Sequence, residues 1–223
     1  MELSLAQFLE LSKEDSVQII DTRTDVEFLQ GYIPGSIHIG LDEIKTLNAL
    51  KIIEHDCPII LVCTQGTEAI LIKRFELLGY TQVKGYLQGG FSTWSDADQK
   101  IDLIIEVEVD ELAMDIPFDE YLMVLDIRAE EVYDKGHIKD AIHLPLIEFG
   151  DPGSMSELDE HFNIYIIDDL GKQLLLAASV LKKQGIHNIR IVQDGWDAVE
   201  FLKNKFKIVA SPKKNLSDDQ EYQ

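Results

Sequence analysis

The chain is poor in cysteine and in basic residues, and each shortage narrows what it can be. Of 223 residues only two are cysteines, Cys57 and Cys63. Six residues of extended strand separate them by about 20 Å. A disulfide needs Cα atoms within about 7 Å, so the two cannot pair within one strand. Two unpaired thiols suit a reducing cytoplasm. Lys and Arg number 20 against 41 Asp and Glu, a net charge of −21. That balance excludes nucleic acid as the main partner, because a phosphate backbone needs a basic face. It also disfavours anionic lipid and the steering of anionic substrates. No apolar run approaches the roughly 18 residues of a membrane span. The first 15 residues are acidic and lack an apolar core with basic flanks, so no secretory signal is expected. The expected setting is the cytoplasm, without a membrane partner. His55-Asp56-Cys57 lacks further partners at metal-ligand spacing, so no metal site is expected.

What is present centres on Cys63. It follows the apolar run Ile59-Ile60-Leu61-Val62 and precedes Thr64-Gln65-Gly66-Thr67-Glu68. The run reads as a buried strand. From Thr67 to Leu78 the apolar residues Ile70, Leu71, Phe75 and Leu78 keep helical spacing, and Gly79 stops the helix. Cys63 is therefore expected in an exposed, tight strand-to-helix loop at the positive end of a helix, with Gly66 free to take φ > 0. Backbone N–H groups in such a loop can hold an anion. A helix N-terminus also lowers a cysteine pKa towards neutrality. Cys63 is the candidate nucleophile, and Thr64, Gln65, Gly66, Thr67 and Glu68 are the candidate substrate-binding loop. Cys57, just before Pro58, is expected to have no role.

The flanking motifs resemble a known family. Asp21-Thr22-Arg23, Glu27-Phe28 and Gly31-Tyr32-Ile33-Pro34-Gly35-Ser36 resemble the rhodanese pattern D-x-R-x-x-x-E-[FY]-x-x-G-H-I-P-G-A. Leu77-Leu78-Gly79, Val83, Leu87, Gly89-Gly90 and Trp94 are similar to that family's closing motif. The pattern occurs twice. Asp126-Ile127-Arg128, Tyr133, Gly136-His137-Ile138 and Ala141 repeat the opening, and Gly171, Gly185 and Asp194-Gly195 repeat the rest. Asp21 and Asp126, Gly31 and Gly136, His38 and His143, Gly66 and Gly171, and Gly90 and Gly195 all lie 105 positions apart. One period in two copies indicates two domains rather than a solenoid, in keeping with the length.

The expected domains are residues 1–100, holding the Cys63 loop, and 106–210, with a linker near Ser95 to Ile101 and a flexible tail over 211–223. Val17 to Ile20, Ile59 to Val62, Met123 to Leu125 and Ile164 to Ile167 read as short buried strands, alternating with helical stretches such as Leu174 to Lys183. That alternation argues for an α/β fold. The resemblance implies the same: two rhodanese-like domains, each a small, mostly parallel sheet flanked by helices. Ligands in such sheets bind at the carboxyl ends of the strands.

In that family the loop cysteine takes a sulfane sulfur as a persulfide and passes it to a nucleophile, without metal or organic cofactor. The resemblance therefore implies a sulfurtransferase acting on a small sulfur donor or a protein persulfide. One position departs from the pattern. Sulfur-transferring loops commonly place arginine five positions after the cysteine, where this chain has Glu68, and a carboxylate there raises the thiol pKa and repels anionic donors. Two like charges about 5 Å apart cost about 3 kcal/mol at an effective dielectric of 20, before screening. Thiosulfate is expected to be a poor donor. Related phosphatases need an arginine at the next position, which is Ala69, so phosphate chemistry is not expected. In the second copy Asp168 stands where Cys63 should be and Val132 where Glu27 should be, so that domain is expected to pack against the first and help wall its cleft. Asp21 with Arg23, Asp126 with Arg128, His38 and His143 recur in both copies and are expected to be framework. A second reading makes the chain a regulatory binding or persulfide-relay module. It is also similar to the rhodanese half of fusions with metallo-β-lactamase-fold hydrolases, whose zinc motifs it lacks, and that similarity implies such a hydrolase as its partner. Oligomeric state is not legible in the sequence.

Overall fold

The protein is described from a computed structural model covering residues 1–41, 43–155 and 158–212. The first half starts with β1 (Glu2–Leu3) and α1 (Leu5–Leu11), followed by β2 (Gln18–Asp21) and α2 (Asp25–Leu29). Next come β3 (Ile37–His38), α3 (Leu47–Leu50), β4 (Ile59–Val62), α4 (Glu68–Leu77), β5 (Val83–Leu87) and α5 (Gly90–Asp96). Two helix starts follow from local sequence: Ser4 with Gln7, and Thr24 with Glu27, form reciprocal capping boxes that satisfy N–H groups the first helical turn would leave open. All strand pairs are parallel, in the order β1-β5-β4-β2-β3. β2 and β4 are buried at every residue, as strands covered on both faces must be.

The second half repeats this plan with β6 (Ile105–Val107), α6 (Val109–Asp115), β7 (Leu122–Asp126), α7 (Glu130–Tyr133), β8 (His137–Ile138) and β9 (Ile142–His143). It continues with β10 (Asn163–Ile167), α8 (Leu174–Lys183), β11 (Ile189–Val192), α9 (Gly195–Phe201) and β12 (Ile208–Val209). Its five-stranded parallel sheet runs β6-β11-β10-β7-β9, and β12 pairs antiparallel with β8. The α/β expectation holds in both halves. Among the described residues no helix is long and apolar enough to cross a membrane. Of the expected tail, Ser211 donates its N–H to the Asp134 carbonyl, and residues 213–223 lie outside the described residues.

Register places the recurring pattern of the repeat at one edge. Asp21 pairs with Val62 and with His38 at the ends of three strands, and Asp126 pairs with Ile167 and His143 in the same way. The halves are joined by α8. Every residue from Leu174 to Leu181 is buried, whereas α4, its counterpart, buries only Leu71 and Phe75. α8 packs against β3 of the first half, where the His38 N–H donates to Ser179 Oγ at 3.0 Å. Ile37, Ile39 and Leu47 thereby share one apolar core with Leu176, Ala177 and Val180. Each fully buried aliphatic side chain there is worth about 1.5–3 kcal/mol. Lys182 adds a polar tie, donating to Asp102 Oδ1 at 2.8 Å and to the Leu103 carbonyl at 2.7 Å.

Candidate active site

Under the first loop lies a rigid base. Arg23 grips Asp21 with Nε donating to Oδ1 at 3.0 Å and Nη2 to Oδ2 at 2.6 Å, and Nη2 also reaches the Gly31 carbonyl at 2.9 Å. Arg128, Asp126 and Gly136 repeat this. The guanidinium lies over Phe91 in one half at 4.0 Å and over Trp196 in the other at 3.8 Å. His38 and His143 each turn Nε2 to the carbonyl of that arginine. These duplicated groups are framework, as expected, and Arg23 has its charge committed to Asp21. The aromatic at 91 and 196 was missed as a partner for the arginine, although its recurrence at the repeat spacing was visible in the sequence.

Cys63 follows directly on Val62 at the end of β4. It is 4% exposed, so the expectation of an exposed thiol is corrected. The residue belongs to the buried cluster that also holds Leu61, Leu71 and Phe75, and its thiol has the Thr67 hydroxyl beside it. Burial first, and then the charges of Glu68 and Asp21, push its pKa up to about 11, while the Thr67 hydroxyl pulls the other way. The expected drop towards neutrality does not occur. Desolvation disfavours the thiolate, and what opposes the rise is a neutral hydroxyl rather than a cation.

The rest of the predicted loop is drawn together around this thiol. Thr64 donates to Glu27 Oε2 at 3.3 Å, and Gln65 is exposed at the tip. Gly66 takes φ +90°, a conformation only glycine adopts without strain. Thr67 Oγ donates to the Thr64 carbonyl at 2.6 Å and closes the turn. Glu68 opens α4, and its Oε1 accepts the Gly66 N–H at 2.9 Å. An amide that an anion on Cys63 could have used is thus taken by a carboxylate of the same loop.

The second loop shows what this turn can hold. Asp168, 4% exposed, accepts the Gly171 N–H on Oδ1 and the Gln173 N–H on Oδ2, the latter at 2.7 Å. Burial raises its pKa, and these amides oppose the rise. Gly195 begins α9 so close to it that a Cβ would sit 2.4 Å from the Asp168 carbonyl oxygen. A carboxylate that carries no sulfur therefore fills a cradle of backbone amides.

Comparison with known proteins bears on both halves. The rhodanese-like domain family matches residues 4–97 and again 108–201. YrkF of Bacillus subtilis, whose name describes a sulfur carrier, is 36% identical over 92 residues, 41% of this chain and 49% of that protein. The chain thus spans about half the length of that relative. GlpE of Pseudoalteromonas translucida, named a thiosulfate sulfurtransferase, is 34% identical over 100 residues, 43% of this chain and 89% of that protein. A solved thiosulfate sulfurtransferase of Pseudomonas aeruginosa aligns with 96% of this chain and 44% of its own, at 15% identity and a TM-score of 0.41.

Proposed function

Because the chain belongs to the rhodanese-like family through both of its halves, we propose that it is a sulfurtransferase that carries sulfane sulfur as a persulfide on Cys63. The observation that supports this is the position of Cys63: the one thiol at the carboxyl edge of a family-matched sheet, in a turn with Gly66 at φ +90° and the Thr67 hydroxyl beside it. The Cys63 thiolate attacks the outer sulfur of a donor R–S–SH. The new S–S bond forms as the donor's S–S bond breaks, and its electron pair leaves on R–S⁻. A thiol or other nucleophile then removes the outer sulfur and returns the Cys63 thiolate. Neither step calls for a metal or organic cofactor.

The donor class follows from charge. A thiol raised to about 11 and flanked by Glu68 favours a neutral or protein-bound persulfide over thiosulfate, whose two negative charges meet a carboxylate where the family commonly has arginine. The proposed setting is the cytoplasm, with no nucleic acid or membrane as partner. The same burial and the engagement of the Gly66 N–H by Glu68 support a second reading, a binding or persulfide-relay module. One experiment separates them. The protein and a Cys63→Ser variant are incubated with a neutral alkyl persulfide, and intact mass is followed. One added sulfur on wild type alone, released by a small thiol, is expected; absence of any added sulfur leaves the binding module standing.

A further inference from the structure

The second half keeps a cleft on the side of the sheet where Asp168 replaces the thiol. Its volume is about 560 Å³, within the range of small-molecule sites. Val132, Trp196 and Phe206 supply an apolar wall; Lys135, Lys203, Asp169 and Glu200 supply exposed charge, and the Arg128 guanidinium, which also lines the cleft, is paired with Asp126. Trp196, Glu200 and Lys203 follow one another at helical spacing along α9 and the turn after it, which puts them on a common face.

The internal repeat shows that this lining is not inherited from the first half. The positions 105 residues earlier are Glu27, Gln30, Thr64, Ser95 and Asp98, where the cleft has Val132, Lys135, Asp169, Glu200 and Lys203. Two negative charges have become two of each sign. Among the described residues none of these four charged groups is ion-paired, although neighbouring Lys205 pairs with Asp110 and Lys139 with Asp140. Charges of both signs thus face one cavity without meeting each other.

We propose that this cleft binds a small zwitterion with an apolar body, the chemistry of a free apolar amino acid. A carboxylate answers Lys135 and Lys203, an ammonium answers Asp169 and Glu200, and the body packs on Trp196, Phe206 and Val132. A ligand of one sign loses against one pair what it gains from the other. The amide cradle behind the cleft is already filled by Asp168, so the site binds and does not transfer sulfur. This assignment is independent of the reactivity of Cys63.

The test uses the full chain labelled with ¹⁵N and titrated with L-phenylalanine, 3-phenylpropionate and 2-phenylethylamine. The Asp169 amide and the Trp196 indole N–H are followed. Saturable shifts with L-phenylalanine are expected, with each analogue at least tenfold weaker because it lacks one of the two charges. In the double variant Lys135→Gln, Lys203→Gln, affinity for L-phenylalanine should fall at least fivefold while that for 2-phenylethylamine does not fall. Absence of saturation up to about 20 mM, equal affinity for all three compounds, or shifts confined to the Cys63 loop would each overturn the proposal.

Discussion

The Asp168 carboxylate sits 105 positions after the Cys63 thiol and accepts the N–H of Gln173 at 2.7 Å; in the first loop the equivalent residue, Glu68, sends its own carboxylate to the Gly66 N–H at 2.9 Å. Each loop therefore holds a carboxylate on its amides, one from the nucleophile position and one from the first residue of the helix. This relation governs what each half can do with a donor.

Glu68→Arg should raise thiosulfate turnover at least tenfold, since a fixed cation replaces a fixed anion beside the reacting sulfur. A neutral persulfide donor should gain much less, and salt should shrink the difference. Steady-state kinetics with both donors reads this. Efficient thiosulfate use by the wild type would mean that Glu68 does not act on the donor at all.

Thiol labelling should reverse the order the sequence suggests. A thiol of pKa about 11 is roughly 10⁻⁴ thiolate at pH 7, and Cys63 is buried whereas Cys57 is only half-buried. Iodoacetamide should therefore modify Cys57 first at pH 7, and the Cys63 rate should rise about tenfold per pH unit up to its pKa. Glu68→Gln should speed Cys63 several-fold and leave Cys57 unchanged. Mass-mapped labelling across pH checks both; preferential labelling of Cys63 at pH 7 would contradict the burial argument.

Asp168→Ala should leave sulfur transfer on Cys63 within twofold in folded protein but destabilise the chain by about 1–3 kcal/mol, because buried amides lose a charged acceptor. Urea unfolding beside the persulfide assay measures the two effects separately. Equal loss of activity in Asp168→Ala and Cys63→Ser would show that the loops form one site.

Lys182→Ala should cost about 1–2 kcal/mol, after allowance for partial exposure, by removing a tie between the halves. Burial raises the Asp102 carboxyl, but hydrogen bonds from Lys182, the Leu103 N–H and the Tyr32 hydroxyl outweigh it and hold its pKa below the ordinary value. A lowered folded pKa gives stability that is present above the unfolded value of about 3.9 and is lost as pH falls through the folded one. The gap between wild type and variant should thus be full at pH 7 and close below about pH 4, which thermal melts across pH will follow. A gap independent of pH would mean that Lys182 acts through packing.

The β-branched run into Cys63, the glycine of the turn and the repeat spacing all act within a few residues or recur at a fixed interval, so a linear sequence displays them. The framework role of Asp21 with Arg23 followed because it also occurs at Asp126 with Arg128, where no nucleophile is present. The aromatic over each arginine was legible only as a recurrence, since nothing local says which group Phe91 or Trp196 will touch.

By itself the sequence determined two α/β halves, the strand-loop-helix around Cys63, the absence of a sulfur carrier at Asp168 and a surface of negative charge, because hydrophobic period, turn chemistry and residue type are local properties. Only the tertiary structure decided how far Cys63 is buried, which carboxylate holds which amide, and why α8 is covered on all sides while α4 is not. Those outcomes depend on which surfaces meet. The helix α8 becomes core because β3 of the other half lies against it, and Cys63 loses its expected acidity because burial takes water away from it and Glu68 adds a like charge. A helix N-terminus acts over a single turn, and at this thiol desolvation outweighs it.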